Sequence, residues 1–130
     1  MNPIAKKILF VDDEQGYVRA VTYVLQKEGY EVITASNGLQ GLIKAQKEKP
    51  DLVILDVMLP GIDGFEVCSR LRSDPRTSTI PIIMLSAKGQ DADRTTGLTL
   101  GALEYLTKPV QNSVLVSSIK AALKESPSSQ

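Results

Sequence analysis

Five apolar runs of strand length recur along the chain, and each is followed by a stretch whose apolar residues return at helical spacing. Lys7-Ile8-Leu9-Phe10-Val11 leads into the acidic cluster Asp12-Asp13-Glu14, and Tyr30-Glu31-Val32-Ile33-Thr34-Ala35 alternates as a strand does. Leu52-Val53-Ile54-Leu55 is unbroken and branched, which suits a strand covered on both faces, and Asp56 closes it. A Pro-Gly at 60–61 and an Asp-Gly at 63–64 follow, so the chain turns directly behind that carboxylate. Ile82-Ile83-Met84-Leu85 ends on Ser86, and Glu104-Tyr105-Leu106-Thr107 ends on Lys108-Pro109.

The helices between are read from their apolar stripes and caps. Residues 15–28 place Tyr17, Ala20, Val21, Val24 and Leu25 on one face, with Gly29 as the stop. Ser36 or Asn37 caps a second helix that reaches about Lys47 and is buried through Leu39, Leu42 and Ile43. A third covers residues 65–73, with Phe65, Cys68 and Leu71 inward. The fourth, residues 91–100, is expected to be marginal. Thr95, Thr96, Gly97 and Thr99 are poor helix formers, and only Ala92, Leu98 and Leu100 offer an apolar face. Elements of that kind are natural switch parts. Asn112 or Ser113 caps a last helix buried through Leu115, Ile119, Ala122 and Leu123.

Five strand–helix units with short connections imply an α/β fold with a doubly wound, five-stranded parallel sheet. All strand ends of such a sheet share one edge. Asp12, Asp13, Asp56, Ser86 and Lys108 therefore converge on one crevice, where open α/β sheets hold their ligands. The 130 residues suffice for a single core, taken as 1–124, and 125–130 has the composition of a flexible tail or the start of a linker.

Composition then narrows the chemistry. Lys plus Arg equals Asp plus Glu at 15 each, so the charge balance does not point to nucleic acid or an anionic membrane. No apolar run reaches membrane-spanning length, and the first residues lack the apolar core of a signal peptide, which makes the cytoplasm the expected compartment. His is absent and Cys68 stands alone, which excludes Ser-His-Asp and Cys-His catalysis, an internal disulfide and Cys/His zinc sites. Cys68 itself reads as core filler. Carboxylates gathered without His or Cys suit a hard, oxygen-seeking cation such as Mg²⁺, with Mn²⁺ as a substitute. An Asp beside such a cation and a Lys can accept a phosphoryl group, because both cations offset the repulsion between carboxylate and phosphate. A plain ion-pair cluster at the sheet edge is the other reading that the spacing allows.

Four motifs, in order and at matching spacing, closely resemble the receiver domains of two-component response regulators: Asp12-Asp13-Glu14, Asp56 with Val57-Met58-Leu59-Pro60-Gly61-Ile62-Asp63-Gly64, Ser86-Ala87, and Tyr105-Leu106-Thr107-Lys108-Pro109. The resemblance spans Lys7 to about Leu123. It implies a flavodoxin-like (βα)5 sheet in the order 2-1-3-4-5. It implies that Asp56 accepts a phosphoryl group from a histidine kinase or a histidine phosphotransfer protein. By the same resemblance Asp13, Asp56 and the Met58 backbone carbonyl ligate Mg²⁺, with Asp12 acting through a bound water. Lys108 then pairs with the acceptor and its phosphoryl group, and Ser86 supplies the hydroxyl that moves to a phosphoryl oxygen. Tyr105 is the aromatic that turns inward with it, although the residues alone favour a packing role for Tyr105. The Lys108–Pro109 peptide is expected to be cis. Output leaves through the surface of the fourth helix, fifth strand and fifth helix, toward an effector domain or protein; a homodimer would form on the same face. On this reading the chain is a phosphorelay switch and not a conventional enzyme, assisting only its own phosphorylation and dephosphorylation.

The chain departs from the family pattern at several positions. Leu103 follows Gly101-Ala102 where acidic residues are frequent, Val110 stands where Phe is common, and Ser86 replaces the commoner Thr. Met58, two residues after Asp56, is apolar, and Lys88, two after Ser86, is cationic. Neither can guide an attacking water, so slow self-dephosphorylation is expected. The alternative function, a metal-dependent phosphatase or phosphotransferase with an aspartyl nucleophile, would want an acid where Met58 stands. A flavin or nucleotide carrier would want a Gly-rich loop where Asp12-Asp13-Glu14 stands.

Overall fold

A computed structural model describes residues 5–125. Strands β1 (Lys7–Val11), β2 (Glu31–Ala35), β3 (Leu52–Leu55), β4 (Ile82–Ser86) and β5 (Glu104–Thr107) alternate with helices α1 (Gln15–Lys27), α2 (Gly38–Glu48), α3 (Gly64–Ser73), α4 (Asp91–Thr99) and α5 (Asn112–Ala122). The five strands form one parallel sheet in the order β2-β1-β3-β4-β5, as expected. The winding reverses between β1 and β3. That is where Asp12 and Asp56 emerge, one residue beyond each strand.

Because side chains alternate across a strand, the unbroken apolar runs fill two cores at once. Leu9, Val11, Val53, Leu55, Ile82 and Met84 face α2, α3 and α4, where Leu42, Ala45, Val67, Cys68 and Leu71 meet them. Ile8, Phe10, Leu52, Ile54, Ile83 and Leu85 face α1 and α5, against Val18, Val21, Leu25, Leu115 and Ile119. Cys68 is fully buried as core, and its Sγ–H donates to the Leu100 carbonyl (3.5 Å).

The strands follow the sequence closely; the helix faces need correction. In α1 the buried positions are Val18, Val21 and Leu25, while Ala20 is exposed and Tyr17 and Val24 only partly covered. In α2, Leu39 and Ile43 are exposed, at 60% and 47%, and the helix is buried through Gly38, Gly41, Leu42 and Ala45. The reason is close approach: a Cβ on Gly38 would lie 2.7 Å from Ile62 Cγ1 and one on Gly41 3.0 Å from Val11 Cγ2. Gly41 brings α2 onto β1 and Gly38 brings it against Ile62 and Val67, so that Leu42 reaches the core while Leu39 and Ile43 stay outside. In α3, Val67 joins Cys68 and Leu71 inward, with Phe65 half-buried.

Helix α4 is as poorly anchored as expected, but through a different residue. Ala92 and Leu98 are exposed, and Gly97 alone is buried. Asn37 caps α2 by accepting from the Gln40 N–H (2.8 Å). By contrast, neither Asn112 nor Ser113 caps α5. Both already lie within the helix, and the extended residue before it is Gln111, whose side chain makes no cap bond. Gly29 stops α1 with φ of 96°, as read from the sequence. Glu125 is tied to the body of the fold, accepting from the Tyr30 hydroxyl (2.8 Å) and donating its N–H to the Lys120 carbonyl (2.8 Å). The rest of the expected tail, residues 126–130, lies outside the described residues.

Candidate functional site

The crevice lies at the C-terminal edge of the sheet, and its acidic members are held there by local turns. Asp12 is 1% exposed; its Oδ1 accepts the Glu14 N–H (2.9 Å), which curls the chain from β1 toward α1. Glu14 then caps α1, accepting the Tyr17 N–H on Oε1 (2.7 Å). Asp56, 5% exposed, likewise accepts the N–H of a residue two further on, Met58, on Oδ1 (3.1 Å). The loop behind it closes when the Gly64 N–H donates to the Val57 carbonyl (2.8 Å), and Asp63 starts α3 by accepting from Glu66 (3.0 Å). Asp13 is exposed beside them. Carboxylate oxygens of Asp12, Asp13 and Asp56 lie within 4.8 Å of one another.

Lys108, at the end of β5, reaches across the sheet edge to this group. Its ammonium donates to Asp12 Oδ2 at 2.8 Å and to Asp56 Oδ2 at 3.2 Å. It also lies over the ring of Tyr17, 4.5 Å from the centroid. Burial works against the lysine's charge, but the hydrogen bond and charge of Asp12 and those of Asp56 outweigh it and hold its pKa above the ordinary value. Burial pushes the Asp12 carboxyl up despite the opposing pull of Lys108 and the Glu14 N–H. It also pushes the Tyr17 hydroxyl up, so the ring beside Lys108 is neutral. An all-oxygen donor set of this kind fits a hard divalent cation and offers no thiolate or imidazole to a softer metal.

Residues 8–120 match the family model described as the response regulator receiver domain. The chain belongs to that family. It is 50% identical over 121 residues to the alkaline phosphatase synthesis transcriptional regulatory protein PhoP of Bacillus subtilis, covering 93% of this chain and 50% of that protein. It is 41% identical over 117 residues to protein PilH of Pseudomonas aeruginosa, covering 90% and 97% respectively. The chain thus spans about half the length of PhoP and nearly all of PilH. Among solved structures, a response regulator from Chloroflexus aurantiacus superposes with a TM-score of 0.89 at 39% identity, covering 94% of this chain and all of that one. A receiver domain from Methanospirillum hungatei gives 0.88 at 30% identity, covering 93% and 95%.

The receiver fold accounts for the order of strands and for the convergence at their ends, and it disfavours the phosphatase reading. Among the described residues no helix is long and apolar enough to cross a membrane.

The remaining sequence-selected residues of the receiver lie on the β4–β5 side. Ser86 is fully buried, and its Oγ accepts the Lys88 N–H (3.2 Å). Tyr105 is 2% exposed and points inward, its hydroxyl donating to the Lys88 carbonyl. Lys88, at the head of the loop into α4, is therefore held from both sides. Gly97 lets α4 sit directly on Tyr105, because a Cβ there would lie 2.8 Å from both Met84 Sδ and Tyr105 Cδ2. Arg94 of α4 donates to the Tyr105 carbonyl at 2.5 Å. The Lys108–Pro109 peptide is cis. Tyr17 was not among the candidates read from sequence for this site, because its spacing on α1 marked it only as a core residue.

Proposed function

We propose that Asp56 is the phosphoryl acceptor of this receiver, taking the group from a histidine kinase or a histidine phosphotransfer protein. The observation that carries this reading is the pairing of Asp56 with Lys108 inside a cluster of acidic groups at the point where the sheet winding reverses. Asp56 attacks phosphorus with a carboxylate oxygen, and the bond between phosphorus and the donor breaks. Asp12, Asp13, Asp56 and the Met58 carbonyl are the groups that would hold Mg²⁺, which offsets negative charge on the incoming phosphoryl group. Lys108 adds a second positive charge, donating to Asp56 Oδ2 at 3.2 Å.

Phosphorylation brings about two negative charges to the crevice. Ser86 accepts the Lys88 N–H and keeps its own O–H to donate to a phosphoryl oxygen, so a move of Ser86 toward that oxygen pulls on Lys88. Lys88 is also tied to Tyr105. The weakly anchored α4 then shifts with Tyr105 and β5, and the face of α4, β5 and α5 becomes the output surface for an effector. The protein acts as a cytoplasmic signalling switch without turnover of an external substrate. Incubation with Mg²⁺ and acetyl phosphate, read by intact mass, should add one phosphoryl group to the parent and none to Asp56→Asn. An unmodified parent, or a modified variant, overturns the assignment.

A further inference from the structure

We infer that Tyr17 is a positioning residue for Lys108, its ring face holding the ammonium over Asp56. This rests on the reading of Asp56 as acceptor, and it concerns a residue that the strand ends do not supply. The ammonium meets carboxylates on one side, Asp12 at 2.8 Å and Asp56 at 3.2 Å, and the Tyr17 ring on another, 4.5 Å away.

The ring is itself fixed in place. Phe10, fully buried in β1, packs against it edge to face at 6.2 Å and 71°, and the Glu14 cap holds the Tyr17 N–H at the start of α1. An ammonium has three N–H donors, of which Asp12 and Asp56 engage two. A ring face attracts the cation through its quadrupole without requiring a directed N–H bond. Lys108 can therefore turn a donor from the carboxylate toward a phosphoryl oxygen while its charge stays in the crevice. The lysine side chain is only 18% exposed, so little water competes with the ring.

Two measurements test this. In metal-free protein labelled with ¹³C-lysine, and assigned with Lys108→Arg, the Lys108 methylene protons should show the upfield ring-current shift of a group above an aromatic face. Tyr17→Phe should keep that shift, and Tyr17→Leu should abolish it. At saturating Mg²⁺, phosphorylation of Tyr17→Leu by acetyl phosphate should be slower by about threefold to tenfold, while Tyr17→Phe stays within about twofold of the parent. Tyr17→Met replaces Tyr17→Leu if the latter does not fold. Tyr23→Leu is the control, because it removes an exposed ring on the same helix that lies under Lys27 (5.6 Å); it should leave both readouts unchanged. Lys108 methylene shifts that do not move in Tyr17→Leu would overturn the inference. So would equal rate losses in Tyr17→Phe and Tyr17→Leu, which would assign the effect to the hydroxyl. If the parent takes no phosphoryl group, the reading of Asp56 falls, and the metal-free shifts still decide the contact.

Discussion

Removing Lys108 exposes the main electrostatic cost of the crevice. Lys108→Ala leaves Asp12 and Asp56, at 1% and 5% exposure, with Asp13 and no balancing cation in a cluster whose carboxylate oxygens lie within 4.8 Å. Two unit charges about 5 Å apart repel by roughly 3 kcal/mol at an effective dielectric constant near 20, within the range for stripping one partner from a buried pair. For a domain of this size that loss lowers the melting temperature by roughly 10 °C. Mg²⁺ should return most of it, since bound there it would supply positive charge to the same oxygens. The loss should also depend on pH in a defined direction. Burial holds the Asp12 pKa above the unfolded value, so the folded state takes up a proton more readily than the unfolded chain. The stability that proton provides is full below the ordinary carboxylate pKa and fades as pH rises through the raised one. The penalty for Lys108→Ala therefore shrinks on acidification across that window. Urea denaturation with and without Mg²⁺, in a cycle with Asp56→Asn, measures each part. A metal-free loss below about 1 kcal/mol, or one that Mg²⁺ leaves unchanged, would refute the argument.

Three further outcomes follow from local geometry. Gly64→Ala should destabilise the fold by about 2–3 kcal/mol, because the new Cβ would lie 2.1 Å from the Asp56 carbonyl oxygen and 2.7 Å from Val57 Cα, both backbone atoms; a gain in urea midpoint, as helix propensity alone would give, would disprove this. Met58→Asn should shorten the lifetime of the phosphorylated form severalfold in a phosphate-release assay, since Met58 is 57% exposed and an amide there can orient water; an unchanged lifetime would remove Met58 from the account. Cys68 should resist iodoacetamide in the folded protein and react on addition of denaturant, because it is fully buried and burial pushes its thiol pKa up; ready labelling of the native chain would show that α3 opens easily.

The features legible in the sequence and those hidden from it differ in physical kind. Strand ends could be placed because a parallel sheet sends every C-terminal end to one edge, so Asp12, Asp56, Ser86 and Lys108 needed only a correct strand count. Helix faces were less legible, because periodicity records where apolar residues fall and not where backbones touch. Gly38 and Gly41 carry no apolar signal, yet they share the contact surface of α2 with Leu42 and Ala45, and Leu39 and Ile43 satisfied the helical period while facing solvent. The same blindness hid Gly97, on which the packing of α4 against Tyr105 depends. The contact between Tyr17 and Lys108 joins α1 to the end of β5, and no local pattern records such a pair. A small set of strand-end residues thus forms the candidate site, while the close approaches that aim those residues become visible only in three dimensions. Substitutions at Gly38, Gly64 or Gly97 should therefore disturb the switch as strongly as changes at the charged groups, although nothing in their own chemistry would suggest it.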